Sequence, residues 1–294
     1  MGSAWVGHLI ELASLPLFLW CWLELRARRR SEHMELLVTV LYGWLLETLD
    51  MWIFGTYRYQ EATWWWVGHV PLYIPLLWAV IIHSSMELSD RSGLPRWARP
   101  FLDGLLAVLI DLAIDAIAIR LKLWFWGIPL NQGWFGVPAG NLCAWMWVAA
   151  WYGATMRLVR ERIEMGEPRW HRLLVPVTAY VGLFSSLFLI GATGQLLGWT
   201  DQNQRLWIFA GHVAVFLGIV VAAMRQRSRV LPDAPPVPAS FVWNRWLMHA
   251  SFLTLLLVTG VWQHAHVLVA VSLTAMAVEW LVQLATAVGG GASR

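Results

Sequence analysis

The sequence predicts an all-α fold, namely a polytopic transmembrane helical bundle with about nine spans and its N-terminus outside the cytoplasm. Three observations support this fold class. The 294 residues are 59% hydrophobic and 13% charged, with a mean hydropathy of +0.56, a composition unlike that of a soluble domain. Long apolar segments recur along the chain, and basic residues concentrate in alternate loops between them.

Nine hydrophobic segments are long enough to be membrane spans, since a helix needs roughly 20 residues to cross a hydrocarbon core of about 30 Å. They lie near residues 4–24, 34–54, 63–84, 100–121, 140–158, 172–198, 205–224, 242–262 and 266–287. Eight spans are the alternative, because only a short turn separates the last two segments. The first apolar run opens with uncharged MGSAWVG and is followed by RARRR, the reverse of a secretory signal, so we expect it to be retained as a span.

The distribution of basic residues predicts the orientation of these spans. The loops after the first, third, fifth and seventh segments hold Arg26, Arg28, Arg29, Arg30, Arg91, Arg96, Arg99, Arg157, Arg160, Arg162, Arg169, Arg172, Arg225, Arg227, Arg229 and Arg245. The alternate loops hold Arg58, Arg120, Lys122 and Arg205. By the positive-inside rule the N-terminus lies outside and the C-terminus inside. The net charge of +3 therefore reflects loop arginines and not a nucleic-acid-binding face.

The chain divides at one proline-rich stretch, VLPDAPPVPAS over residues 230–240, which predicts a linker. Residues 1–229 are predicted to form the membrane bundle that carries the site, and residues 241–288 a C-terminal transmembrane hairpin. We expect no regular structure in the tail GGGASR. Cys21 and Cys143 lie in apolar segments and indicate neither a disulfide framework nor a zinc site.

Carboxylates inside the apolar segments are the first candidates for function, because acids at membrane depth are costly. Asp111 and Asp115 are four residues apart and share one helix face. Glu47 and Asp50, three residues apart, share a face of the second segment. The predicted topology brings these four acids to similar depths in the outer half of the membrane, with Asp103 near the cytoplasmic end. A carboxyl kept protonated there can donate a proton to a substrate.

A structural explanation of the same acids is the alternative. In it, Arg120 or Lys122 balances Asp115, and backbone groups satisfy the other carboxylates. Glu11 and Glu279 are single acids in apolar segments, for which Trp or His residues are the candidate partners. The histidines show no paired pattern that would indicate a haem or metal site.

The loops after the second and fourth segments carry the remaining polar and glycine-rich motifs. In GWFGVPAGN, the glycines Gly133, Gly136 and Gly140 with Pro138 predict a fixed turn, after which Asn141 is expected to cap the fifth helix. In FGTYRY, Tyr57 and Tyr59 are predicted to anchor the chain at the membrane interface. In VPLYIPLLW, Pro71 and Pro75 are expected to start or kink the third helix.

Tryptophan is unusually abundant, at 23 residues. The belts at the two membrane interfaces account for only part of this number. The others are expected to pack between helices or to line a tunnel for an apolar ligand.

Residues 40–155 resemble a bacterial and archaeal family of carotenoid-biosynthesis membrane proteins. This family includes the carotenoid 1′,2′-hydratases and bisanhydrobacterioruberin hydratase. The resemblance rests on Glu47, FGTYRY, VPLYIPLLW, DLAID, WFW, GWFGVPAGN and Trp145, in that order along the chain. Ala116 stands where the family pattern has Pro, and residues 50–53 stand where it has a Thr-Gly turn.

The resemblance implies a cofactor-independent and metal-independent enzyme that adds water to a terminal C=C bond of a carotenoid. Asp115 would donate the proton, and aromatic faces would stabilise the tertiary carbocation by cation–π attraction. Glu47, Asp111 or Asn141 would orient the water. The predicted catalytic residues are Asp115, Asp111, Glu47 and Asn141. The predicted substrate-binding residues are Trp124, Trp126, Trp134, Trp145, Tyr57 and Tyr59.

Two alternatives to hydration stay open at this point. One is another acid-initiated reaction on a polyisoprenoid, such as isomerisation or cyclisation. The other is a non-catalytic membrane protein that binds or transports a lipid or a proton. In each case we expect the partners to be an apolar carotenoid or polyisoprenoid, the lipid bilayer and other enzymes of the pathway, with no nucleic acid. The expected location is the bacterial inner membrane.

Overall fold

The computed structural model describes residues 4–28, 31–60, 63–226 and 236–288. Within these residues the chain forms nine α-helices, which confirms the predicted all-α class. The helices are α1 (Ala4–Arg28), α2 (Glu32–Ile53), α3 (Tyr73–Asp90), α4 (Arg99–Arg120), α5 (Ala139–Glu164), α6 (Val175–Leu196), α7 (Gln202–Met224), α8 (Ala239–Val258) and α9 (Val267–Val288). Residues 230–235 of the predicted linker and the tail GGGASR lie outside the described residues.

Six helices are long and apolar enough to cross a membrane, namely α1, α2, α6, α7, α8 and α9. The chain is therefore a multi-pass membrane protein. Helices α3, α4 and α5 are not among these six, and α4 buries three acids, Asp103, Asp111 and Asp115. The location of the N-terminus outside the cytoplasm stays a prediction. The division of the chain into two membrane units is also still a prediction.

The third predicted span, residues 63–84, is wrong at its beginning. Strands β2 (Trp66–Val67) and β3 (Val70–Pro71) form a small hairpin there, turning at Gly68 with a φ of 66°. The Glu11 carboxylate of α1 accepts the backbone N–H groups of Trp64 and Trp65 at 2.9 and 2.6 Å, which gives this acid its partners. Helix α3 begins only at Tyr73, so Pro75 lies in its first turn, where proline is tolerated without a kink.

A second pair of short strands joins the loops that follow α2 and α4. Strand β1 (Arg58–Tyr59) pairs antiparallel with β4 (Trp124–Phe125), with Tyr59 opposite Trp124. The ends of α2 and α4 therefore meet at the same end of the bundle. This pairing brings the FGTYRY and WFW motifs together, although Tyr59 and Trp124 are 65 positions apart in the chain.

Helix α4 lies at the centre of the bundle and contacts α3, α5, α7, α8 and α9. Most of its residues are buried, whichever side of the helix they occupy. Next to it, α2 and α3 approach closely at Gly43, where a methyl group would lie 2.8 Å from the Trp78 Cβ. Because a real Cβ contact is never that short, glycine is required there. Trp78 of α3 therefore lies against Gly43, which is one turn before Glu47 in α2.

The ends of α3 and α5 that lie opposite the β1–β4 pair form a buried ionic cluster. The Arg157 guanidinium contacts Asp103 at 2.6 Å and Asp90 at 2.8 Å. Arg160 and Arg172 contact Glu35 at 2.6 and 3.0 Å. These arginines were predicted as loop residues, yet Arg157 and Arg160 belong to α5, and all three have acidic partners. Asp103 therefore belongs to this cluster, about two turns of α4 before Asp111.

A second buried ion pair attaches the C-terminal helices to the bundle. Arg245 was predicted as a loop residue, but it lies in α8 and its side chain is completely buried. Its guanidinium contacts the Glu279 carboxylate of α9 at 2.6 and 2.7 Å. It also donates to Ser85 Oγ at 3.1 Å and to the Leu106 carbonyl oxygen at 2.9 Å. Glu279 thus has a structural partner, and α8 and α9 are bound to α3 and α4.

Breaking this ion pair is expected to destabilise the fold. In Arg245→Met, the Glu279 carboxylate stays buried without its counter-charge, which costs about 3–5 kcal/mol. The double variant Arg245→Met/Glu279→Met leaves no buried charge at this position and should recover most of that loss of stability. The thermal unfolding of the wild type, the single variants Arg245→Met and Glu279→Met, and the double variant in detergent measures both effects. A double variant that is less stable than either single variant would contradict the assignment.

Candidate functional site

The Glu47 carboxylate is held by three neutral hydrogen-bond donors near the end of α2, and its residue is only 6% exposed. The Tyr57 hydroxyl donates to Oε2 at 2.5 Å, and the Tyr59 hydroxyl donates to the same oxygen. The Trp78 indole N–H donates to Oε1 at 2.6 Å. Burial, and then the nearby Glu47 charge, raise the pKa of both tyrosines well above its ordinary value, so both hydroxyls stay protonated.

This arrangement corrects the prediction that Tyr57 and Tyr59 serve as interfacial anchors. Their rings are partly buried and their hydroxyls point to Glu47. The β1–β4 pairing turns the loop after α2 inward. The two tyrosines therefore donate hydrogen bonds to an acid instead of anchoring the chain at the membrane interface. Trp78 is the last residue of the VPLYIPLLW motif and was not predicted as a site residue.

The Asp115 carboxylate of α4 has a matching set of neutral donors. The Trp124 and Trp126 indoles both donate to Oδ1, the latter at 3.0 Å. The Asn141 amide donates to Oδ2 at 2.5 Å. Arg120 does not balance this charge, because its guanidinium donates to the carbonyl oxygens of Ala116 and Phe135 at 2.8 and 2.7 Å.

Asn141 connects Asp115 with Asp111. Its amide also lies 3.3 Å from Asp111 Oδ2, whereas Asp111 Oδ1 is buried with no hydrogen-bond partner among the described residues. The prediction that Asn141 caps α5 is wrong. Pro138, at φ −61° and ψ 138°, holds the N-cap position and the helix begins at Ala139, so Asn141 lies in the first turn with its side chain free to donate.

The GWFGVP turn positions this first turn of α5. Gly133 and Gly136 have φ values of 60° and 91°, the left-handed region that glycine enters at little cost. Gly140, predicted to be part of the turn, lies inside α5. The Trp134 indole donates to the Leu112 carbonyl oxygen at 2.7 Å, so this side chain fixes the turn to α4 and does not face the acids.

No Arg or Lys of the described residues forms an ion pair with Glu47, Asp111 or Asp115. Indole, phenol and amide donors stabilise a carboxylate without an opposing full charge. Such an acid can hold its proton or release it, whereas an acid paired with arginine is held in the ionised form. The arrangement therefore suits proton transfer within an apolar environment.

A cavity of about 160 Å³ lies beside these acids and is called the acid cavity here. Its polar wall includes Glu47, Asp115, Asn141 and Trp126, and Trp145 and Phe252 are among its aromatic residues. The Trp145 ring packs on Trp78 with centroids 4.1 Å apart. Asp111 lies behind Asp115 and is not among the residues that line the cavity.

The acid cavity reaches the surface of the bundle between α1 and α8. Ala13 of α1 and Leu247 and Ser251 of α8 line it and are exposed there, on helices long and apolar enough to face lipid. A ligand pocket for a drug-sized molecule usually measures about 300–1,000 Å³. At about 160 Å³ this cavity holds only one end of a long apolar molecule, and the remainder must lie outside along the helices.

These features define the chain as a multi-pass membrane protein with an interior cavity that is lined mostly by apolar residues. The chain belongs to a family of carotenoid biosynthesis proteins, which it matches over residues 6–200. No curated protein and no solved structure gave a significant match. The protein therefore has a role in carotenoid biosynthesis. The matched range contains Glu47, Asp115 and Asn141, whereas α8 lies beyond it.

Filling the opening between α1 and α8 is expected to prevent the binding of a carotenoid end. In Ser251→Trp, the indole would occupy the opening, and the retained acyclic carotenoid should fall about tenfold, equivalent to 1.4 kcal/mol. The visible absorbance of carotenoid that copurifies with the protein measures this effect. Thr254→Trp is the matched control, because Thr254 is exposed on the same helix but does not line the cavity. Equal retention by both variants would place the carotenoid elsewhere.

Proposed function

We propose that this protein adds water to a terminal C=C bond of an acyclic carotenoid, in the bacterial inner membrane and without a cofactor. The observation that carries the proposal is the Asp115 carboxyl, which lines an apolar cavity and has neutral donors only. Family membership supplies the carotenoid context. The other enzymes of the pathway would deliver the substrate through the shared bilayer.

Proton donation by Asp115 begins the proposed reaction. The π electrons of the terminal double bond take the carboxyl proton at the less substituted carbon. Asp115 becomes a carboxylate and the more substituted carbon becomes a tertiary cation. The indoles of Trp124 and Trp126 and the amide of Asn141 then stabilise the new carboxylate with hydrogen bonds already formed, as preorganised donors do in other enzymes.

Aromatic faces along the cavity would stabilise the cation. Trp145, packed against Trp78, and Trp126, packed against Tyr57 with centroids 4.8 Å apart, line the acid cavity. A cation over an indole face gains about 0.5–2 kcal/mol, most where water is excluded. Addition of water to the cation, with loss of one proton from that water, completes the hydration. Glu47 and Asn141 are positioned to hold polar groups at the same cavity.

A second reaction uses the same first step and is favoured by one observation. Glu47 lines the acid cavity together with Asp115, so its carboxylate could remove a proton from the carbon next to the cation. The product would then be an isomer of the carotenoid and would contain no added water. Product mass separates the two reactions.

The test is expression of the protein in a host that accumulates lycopene or γ-carotene. The wild type should convert the pigment to a product heavier by one water. Asp115→Asn keeps the size of the side chain and one oxygen that can accept from the indoles, but its amide has no acidic proton to donate, so conversion should fall about 10²–10⁴-fold. Asp201→Asn is the control, because Asp201 is exposed and caps α7, and Asn caps equally well.

Other outcomes would count against hydration in different ways. A product of unchanged mass with a new absorption spectrum would support isomerisation or cyclisation. Unchanged pigment with wild-type protein, across several acyclic carotenoids, combined with pigment retained on the purified protein, would indicate a binding or transport role.

A further inference from the structure

A second cavity, called the loop cavity here, lies at the same end of the bundle and has a volume of about 430 Å³. It is bordered by the loops after α2 and α4 and by α5, α6 and α7. Its polar residues are Asp50, Thr56, Asn141, Gln202 and Arg205. In the predicted topology these loops face the extracytoplasmic side. Since a water molecule in the liquid occupies about 30 Å³, the loop cavity has room for several waters, and it has polar groups to hold them.

The two cavities share part of their wall. Asp50, Trp126, Asn141 and Ala144 line both the acid cavity and the loop cavity. The same side chains therefore face the acid cavity on one side and, on the other, the loop cavity with its five polar residues. Of the four residues, only Asp50 carries a carboxylate.

Asp50 differs in its hydrogen bonds from Glu47 and Asp115, the other acids that line the acid cavity. Glu47 and Asp115 each have both oxygens occupied by donors. Asp50 Oδ1 is buried and has no hydrogen-bond partner among the described residues. A buried acceptor without a partner costs free energy unless a ligand satisfies it. Asp50 is three residues after Glu47, on the same face of α2, and it is the acid whose side chain lines both cavities.

We propose that Asp50 binds the reacting water and accepts its proton, with the loop cavity as the source of that water. This inference rests on the proposed hydration. After Asp115 has protonated the double bond, a lone pair of the water oxygen forms the C–O bond to the cation. The oxygen then loses one proton to the Asp50 carboxylate, leaving a tertiary alcohol. Asp50 returns this proton to water in the loop cavity, and Asp115 is protonated again, so the net change is addition of one water.

Water capture can be separated from protonation by deuterium exchange. Membranes that contain the protein and lycopene are incubated in D₂O buffer, and the extracted carotenoids are analysed by mass. A cation that finds no water can return a proton or deuteron to Asp115, so the recovered carotenoid gains deuterium without gaining oxygen. The wild type should yield the hydrated product.

In Asp50→Leu, the hydrated product should fall at least tenfold, while deuterium continues to enter the recovered carotenoid. Asp50→Asn, which can still hydrogen-bond water but cannot take its proton as readily, should lie between Asp50→Leu and the wild type. Asp115→Asn should lose both hydration and exchange. The amount of protein and the carotenoid that it retains confirm that each variant is folded.

The inference is overturned if folded Asp50→Leu and Asp50→Asn hydrate as fast as the wild type. It is also overturned if both folded variants lose exchange and hydration together, because Asp50 would then act before water capture. Failure of the proposed function looks different, since the wild type itself would show neither added water nor deuterium exchange.

Discussion

A carboxylate buried at membrane depth is stabilised by the groups that contact its oxygens. In this molecule those groups are arginines in one region and neutral hydrogen-bond donors in another. Asp103, Glu35 and Glu279 are paired with Arg157, Arg160, Arg172 and Arg245. Each guanidinium compensates the buried charge of its carboxylate, and removing either partner would leave the other uncompensated. These pairs hold the helices together.

Glu47 and Asp115 have phenol, indole and amide partners instead. Neutral donors satisfy the oxygens without requiring a permanent negative charge. The protein thereby keeps acids that are able to exchange a proton in a place where an isolated charge is expensive. The abundance of tryptophan follows in part from this requirement, since the indole N–H is a donor attached to a large apolar body.

The donors reach the acids because of a connection between loops. The β1–β4 pair places Tyr57 and Tyr59 against Trp124 and Trp126, and the aromatic layer so formed covers both carboxylates. The C-terminal helices complete the enclosure, because α8 contributes Met248 and Phe252 to the acid cavity. Their attachment to the bundle depends on Arg245 and Glu279, so a structural ion pair supports one wall of the candidate site.

Most of the fold could be predicted from the sequence, because hydrophobic length identifies membrane helices directly. The acids Glu47, Asp111 and Asp115 were found because carboxylates in apolar segments are conspicuous. Four features were not predictable in this way. Two-residue strands such as β1 and β4 have no periodicity to detect, so the inward turn of Tyr57 was missed.

The pairing of Arg245 with Glu279 was also missed, because the two residues are 34 positions apart and an arginine close to a span end resembles a loop residue. The role of Trp78 depends on the close approach at Gly43, which is a property of two helices together. Asp50 was recognised as a buried acid, but its position between two cavities required the arrangement of α2, α5 and α7. Local sequence patterns thus identify costly residues, whereas their partners depend on long-range packing.

The most direct test of this account is a structure of the protein in lipid nanodiscs with an acyclic carotenoid bound. The account predicts that one end of the polyene passes between α1 and α8 and places its terminal double bond beside Asp115, in contact with Trp145. A carotenoid bound on another face of the bundle, with the acid cavity unoccupied at saturating ligand, would contradict it.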